Sequence, residues 1–160
     1  MADLDNKAWL SDLYHYSLLA GSLYALYEIY WECHWTAGDV AFFGDHAFFQ
    51  EAYELTQSQL DAVMEKFIYR GAYDPNEFLN NVHNNKTFLL YNFKNVKGDV
   101  WPYLINHETW FSIMVGRLIN NPQARLSEGT KNLLADIIDK RETLVYKMNR
   151  RVFKNKTAKS

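Results

Sequence analysis

The chain of 160 residues and 18.9 kDa is long enough to bury one substantial core. Hydrophobic residues make up 48% and charged residues 22%, which excludes wholesale disorder, and seven Gly and three Pro favour long helices over a loop-rich β fold. The formal net charge of −2 hides a split, because six of the 17 cations fall after Tyr146 and the rest of the chain carries all 19 acids.

No run approaches about 18 charge-free apolar residues, so no membrane span is expected. The opening MADLDNKAWL begins with acids and has no apolar leader segment. Cys33 is the single cysteine, which excludes an intrachain disulfide framework and a Cys-rich zinc site. A cytoplasmic protein is the expectation.

In chain order, Trp9, Leu13, Tyr16, Ala20, Leu23, Tyr27 and Tyr30 recur in steps of four and three. This stripe predicts one helix over about 6–34, with Asp5 or Asn6 as its N-cap. His34 is the next step of the stripe, and Thr36, Gly38 and Asp39 break the pattern. A second helix is predicted from Phe43 or Asp45 to Arg70, with Phe49, Tyr53, Leu60, Met64 and Phe67 inward and Gly71 as C-cap. Asp74-Pro75 opens a short segment to about His83, with Pro at the first helical position. Residues 84–99 read as an aromatic connection.

A further helix is predicted over 101–120, with Leu104, Phe111, Val115 and Leu118 inward, ended by Asn120-Asn121-Pro122. The last spans Ser127 to Val152 and buries Leu134, Ile137, Ile138, Leu144, Val145 and Met148. The expected fold is therefore all-α: a four-helix bundle with a short helix between the second and third long ones. Residues 1–152 form the domain and 153–160 a basic tail. Lys147, Arg150, Arg151, Lys154, Lys156 and Lys159 lie in or just before that tail with no acid among them. They either reach an anionic polymer such as DNA or complement the end of a helix dipole.

One constellation carries chemistry. On the second helix His46, Gln50, Gln57, Asp61 and Glu65 form a polar ribbon. Asp61 and Glu65 are four apart, so both carboxylates leave one helix face. His46 precedes Asp61 by 15 residues, or roughly 22 Å along a straight helix. One metal centre cannot span that, so a shared site requires the acids of a second, antiparallel copy. The 36–42 turn brings His34 towards His46. Imidazoles with carboxylates suit iron, with zinc and manganese as competitors. Taken singly, an inward His is an ordinary core residue and an Asp-x-x-x-Glu pair an ordinary solvated face. No Glu-x-x-His occurs, which argues against a carboxylate centre inside one subunit.

The stretch HWTAGDVAFFGDHAFFQEAYELTQSQLDAVMEKFIYRGA, residues 34–72, resembles the Dps family of ferritin-like mini-cages. The family pattern is matched by His34-Trp35, a Phe eight residues on (Phe42), a His twelve on (His46), then Tyr53, Asp61 and Glu65. Gly38 stands one position early, and the match covers only this quarter of the chain. The resemblance implies a hollow homododecamer with ferroxidase centres at its two-fold interfaces. Such a cage oxidises Fe(II), preferably with hydrogen peroxide, stores the Fe(III) product and protects DNA under oxidative stress.

On that pattern His34 and His46 ligate iron from one subunit, Asp61 and Glu65 from its neighbour, and Trp35 and Tyr53 are candidate electron donors. Gln50 departs from the family's Asp and brings no charge, which makes the second metal position weak or water-mediated. A DNA-associated cage with weak or lost ferroxidase activity is the alternative, its DNA contacts falling to the C-terminal tail. Asp136, Asp139 and Glu128 are candidates for a negatively charged iron pore, and equally for an ordinary helix face. Cys33 reads as a buried thiol rather than an extra ligand.

Overall fold

The computed structural model describes the backbone of residues 2–38, 41–68 and 74–157, and the side chains between 14 and 153 within those stretches. Among the described residues there are five α-helices and no strand, as expected for an all-α protein. No described helix is long and apolar enough to cross a membrane. The chain divides into two compact units, residues 1–94 and 95–160.

The first unit holds α1 (Ala2–Thr36), α2 (Phe42–Ile68) and α3 (Pro75–Lys94). Helix α1 packs along both α2 and α3, so it is buried on more than one stripe. Tyr16, Ala20, Leu23 and Tyr30 of the expected stripe are buried, and Leu19, Leu26 and Ile29 join them. Trp9, Leu13 and the cap candidates Asp5 and Asn6 lie outside the described side chains.

On α2 the buried line is Phe49, Ala52, Thr56, Gln59, Val63 and Phe67. Tyr53, Leu60 and Met64, expected in the core, are only half-buried. Ala52 and Thr56 are fully buried in their place, and the Thr56 hydroxyl is satisfied by the Ala52 carbonyl oxygen at 2.6 Å. Tyr16 of α1 stacks on Phe67 of α2 with ring centroids 4.3 Å apart. Arg70, the Gly71 cap and Asp39 fall outside the described residues.

The helix expected to be short is not: α3 continues from Pro75 through 84–94, the part read as an irregular connection. Asp74 starts it, accepting at Oδ1 the backbone N–H of Asn76 over 2.8 Å. Phe78, Val82 and Leu89 are its buried apolar residues. Between them the line facing α1 is polar. The Asn85 amide donates to Ser17 Oγ at 3.5 Å, and Lys86 pairs with Glu28 at 2.9 Å while lying over the Tyr24 ring. Gly21 allows this approach, since a Cβ there would stand 2.6 Å from the Asn85 Cβ and 2.8 Å from the Val82 carbonyl oxygen. Satisfied polar partners do for 84–87 what apolar burial does elsewhere.

The second unit pairs α4 (Val100–Ile119) with α5 (Glu128–Thr157) across a single 3-10 turn at Pro122–Ala124. Asp99 caps α4 by accepting from the Trp101 N–H at 3.1 Å. Leu104, Phe111, Val115 and Leu118 are buried as expected, as are Leu134, Ile137, Leu144 and Met148, whereas Ile138 and Val145 are half-buried. Helix α5 runs to Thr157, so its helical backbone extends beyond the expected tail boundary at 152/153. The Arg151 guanidinium lies 5.9 Å from the Trp101 ring centroid, while Phe153 is exposed.

Candidate metal centre

His34 stands in the last turn of α1 and His46 in the second turn of α2. The end of α1 and the start of α2 meet at these two residues. His34 Nδ1–H donates to the His46 carbonyl oxygen at 3.0 Å, and His46 Nδ1–H donates to the His34 carbonyl oxygen at 3.0 Å. The rings stack with centroids 3.7 Å apart and planes at 24°. A carbonyl can only accept, so each imidazole carries a proton on Nδ1, which leaves Nε2 as the nitrogen able to offer a lone pair to a metal. Neutral rings oriented by Nδ1–H bonds to backbone are the usual state of metal-ligating histidines.

Aromatic side chains wall this pair. Phe42 stacks on His46 at 5.0 Å, and Tyr53 meets the edge of His34 at 5.3 Å. Around them Trp31, Trp35, Phe42 and Phe43 are exposed, Trp35 to 64% and Phe43 to 85%. Large exposed apolar side chains are thus concentrated around the His pair.

Asp61 and Glu65 are both exposed on α2. That helix is unbroken from Phe42 to Ile68, so the axial separation of His46 and Asp61 is the roughly 22 Å of a straight helix. Among the described residues no group of three or more His, Cys, Asp or Glu lies close enough to hold one metal ion. The structure therefore joins His34 with His46 and leaves the acids apart from them within one chain. Gln50 Nε2 donates to Glu54 Oε1 at 2.9 Å, a contact that commits the neutral amide to its own helix face.

Other candidates sort by environment. Cys33 is buried, and burial followed by the nearby Glu32 pushes its thiol up to about 12, which keeps it protonated and unsuited to metal binding. Asp136 pairs with Lys140 at 2.7 Å and Glu128 with Lys131 at 2.9 Å, both as exposed same-helix neighbours. Lys147 is half-buried, Arg150 exposed and Arg151 half-buried. The side chains of Lys154, Lys156 and Lys159 lie outside those described.

One polar group in the second unit was missed from sequence. Glu108 of α4 and Arg141 of α5 pair at 2.8 Å with side chains 0% exposed. Each stands on its helix's buried line, Glu108 between Leu104 and Phe111, and Arg141 between Ile137 and Leu144. Opposite charges on two facing apolar lines were the available signal. His107 beside them is buried between Tyr103 and Trp110, with ring centroids 5.9 and 5.3 Å away. Burial first, and Arg141 second, hold it down to about 4, so it is neutral at ordinary pH.

Comparison with curated proteins and with solved structures gives no match. The family model Ferritin, described as a ferritin-like domain, matches residues 18–152. That span takes in the His pair, α2 with both acids, and the Glu108–Arg141 pair. Matched over most of its length, this all-α chain belongs to the ferritin-like domain family, a class that in general stores or oxidises iron.

Proposed function

We propose that the protein is a Dps-type mini-ferritin. It oxidises Fe(II), with hydrogen peroxide as preferred oxidant, at centres formed between two copies of the chain, and stores the ferric product in a dodecameric cage. His34 and His46 bind iron through Nε2 from one copy. Asp61 and Glu65 supply carboxylates from the other, with Glu65 the bridge if two ions are held. Zinc and manganese compete for the same donors.

The reciprocal hydrogen-bonded clasp of His34 and His46 carries this reading. It fixes two adjacent imidazoles in the ligating tautomer with no need of a metal to organise them. The acids' remoteness on a straight α2 and the exposed aromatic rim of the His pair support completion by a second copy. Removing Fe(II) and peroxide together protects DNA from oxidative damage and suits a cytoplasmic, nucleoid-associated protein.

A mixing experiment tests the intersubunit arrangement. His46→Ala and the double variant Asp61→Ala/Glu65→Ala are each inactive in Fe(II) oxidation. Dissociated and reassembled together, they regain roughly a quarter of the wild-type rate, because half of randomly formed pairs are mixed and each mixed pair holds one intact site. No recovery in cages shown to be mixed contradicts a shared site.

A second reading, a DNA-associated cage with weak or lost ferroxidase activity, is favoured by Gln50, which is uncharged and engaged with Glu54. On that reading His46→Ala changes nothing, while truncation after Arg151 abolishes DNA binding. Wild-type binding would fall steeply with salt, since many basic tails on one particle contact phosphates together.

A further inference from the structure

The aromatic side chains beside the His pair form one connected path, and its hub is a residue outside the motif that points to iron. Tyr53 lies 5.3 Å from His34 and 6.3 Å from Trp31. Trp31 lies 4.8 Å from Trp35 and 5.4 Å from Tyr27, and Tyr27 closes back on Tyr53 at 6.5 Å. Trp31 thus touches every other member, one helical turn from Tyr27 and from Trp35 on α1 and across from Tyr53 on α2. The path begins in contact with an imidazole and ends at Trp35, which is 64% exposed.

Such a path answers a shortage of electrons. Reducing hydrogen peroxide to two waters takes two electrons, and one Fe(II) provides one. With neutral Gln50 bound to Glu54, a second iron is poorly held, and a lone Fe(II) would otherwise release a hydroxyl radical. We propose that Trp31 is the relay residue through which the second electron reaches the iron site, passing from Trp35 or Tyr27 by way of Tyr53. This rests on the iron-oxidising reading above.

In one turnover the O–O bond of peroxide breaks. Fe(II) gives one electron and becomes Fe(III). Tyr53 gives one electron and its phenolic proton, and solvent gives the second proton, so that two waters form. Tyr53 is then restored by an electron and the indole N–H proton of Trp31. Trp31 is restored in the same way by Trp35, and the oxidising equivalent rests as a neutral indole radical near the surface. No free hydroxyl radical leaves the site.

The test uses the assembled protein taken through two successive additions of anaerobic Fe(II) and one equivalent of hydrogen peroxide, so that the second turnover requires Tyr53 to have been restored. Rapid-freeze electron paramagnetic resonance reads the radical, and a spin trap reads hydroxyl radical per Fe(III) formed. Wild type shows a tryptophanyl radical and little trapped hydroxyl. Trp31→Phe, which keeps an aromatic ring but cannot be oxidised, loses the tryptophanyl signal and releases several-fold more hydroxyl per Fe(III). Trp31→Tyr, which can be oxidised, recovers the low hydroxyl yield. Equal spectra and equal hydroxyl yields in wild type and Trp31→Phe overturn the relay. Iron oxidation that is unchanged in His46→Ala overturns the iron-site reading instead, so the two failures are distinguishable.

Discussion

Glu108 and Arg141 face each other at 2.8 Å across α4 and α5 with neither side chain reaching solvent. The Arg141 guanidinium also lies 5.7 Å from the Phe111 ring centroid. Two charges brought into an apolar interior lose their hydration, and the pair regains that loss only while both members are present.

Removing one member is therefore the severe change. Glu108→Ala leaves an uncompensated buried cation and costs about 3–5 kcal/mol, read as a lower urea midpoint. Glu108→Leu/Arg141→Met removes both charges, fills the space with apolar atoms and returns stability to near wild type or above. A double variant as unstable as the single one would show that the pair does more than neutralise itself.

The depressed His107 gives stability a pH window. Its imidazole titrates at about 4 in the fold against 6.5 in the unfolded chain, so between those values the unfolded state binds the extra proton. Its contribution is complete above pH 6.5 and is lost as pH falls towards about 4, at most about 3 kcal/mol in total. Chemical denaturation of wild type and His107→Phe at pH 7 and pH 4.5 checks this. The difference between the two pH values should be smaller in the variant, whose ring fills the same aromatic slot without titrating.

Two helix glycines should respond oppositely to alanine. Gly21→Ala drives a Cβ into Asn85 and the Val82 carbonyl and should cost about 1–3 kcal/mol by forcing α1 and α3 apart. Gly116→Ala meets nothing within 4 Å and should stabilise α4 by roughly 0.5–1 kcal/mol. Melting temperatures of the two variants, moving in opposite directions, are the readout.

Where burial follows apolar spacing, the helices were legible from sequence. Leu104, Phe111, Val115 and Leu118 on α4 show this. Residues 84–94 were not, because α3 faces α1 there through Asn85 and Lys86, whose partners Ser17 and Glu28 lie some sixty residues away in the chain. On α2 the expected Phe49 and Phe67 are buried, but between them the buried line runs through Ala52, Thr56, Gln59 and Val63 rather than Tyr53, Leu60 and Met64, and small or polar residues such as Ala52, Thr56 and Gln59 carry little apolar signal. At the site, spacing brought out His34 and His46 and their approach to one another. Their mutual backbone bonds were not legible, because each ring bonds the carbonyl oxygen of the other helix's histidine. Trp31 was hidden because a tryptophan on a helix ordinarily reads as core.

The most direct measurement mixes the metal-free wild-type protein anaerobically with Fe(II), adds hydrogen peroxide and follows ferric absorbance beside His46→Ala. The His46 clasp adds about 1 kcal/mol of hydrogen bonding, so the variant should stay folded and assembled. Saturable oxidation in wild type, reduced to the uncatalysed rate in the variant, is the predicted result. Equal traces from two assembled proteins would contradict an iron centre at the His34–His46 pair.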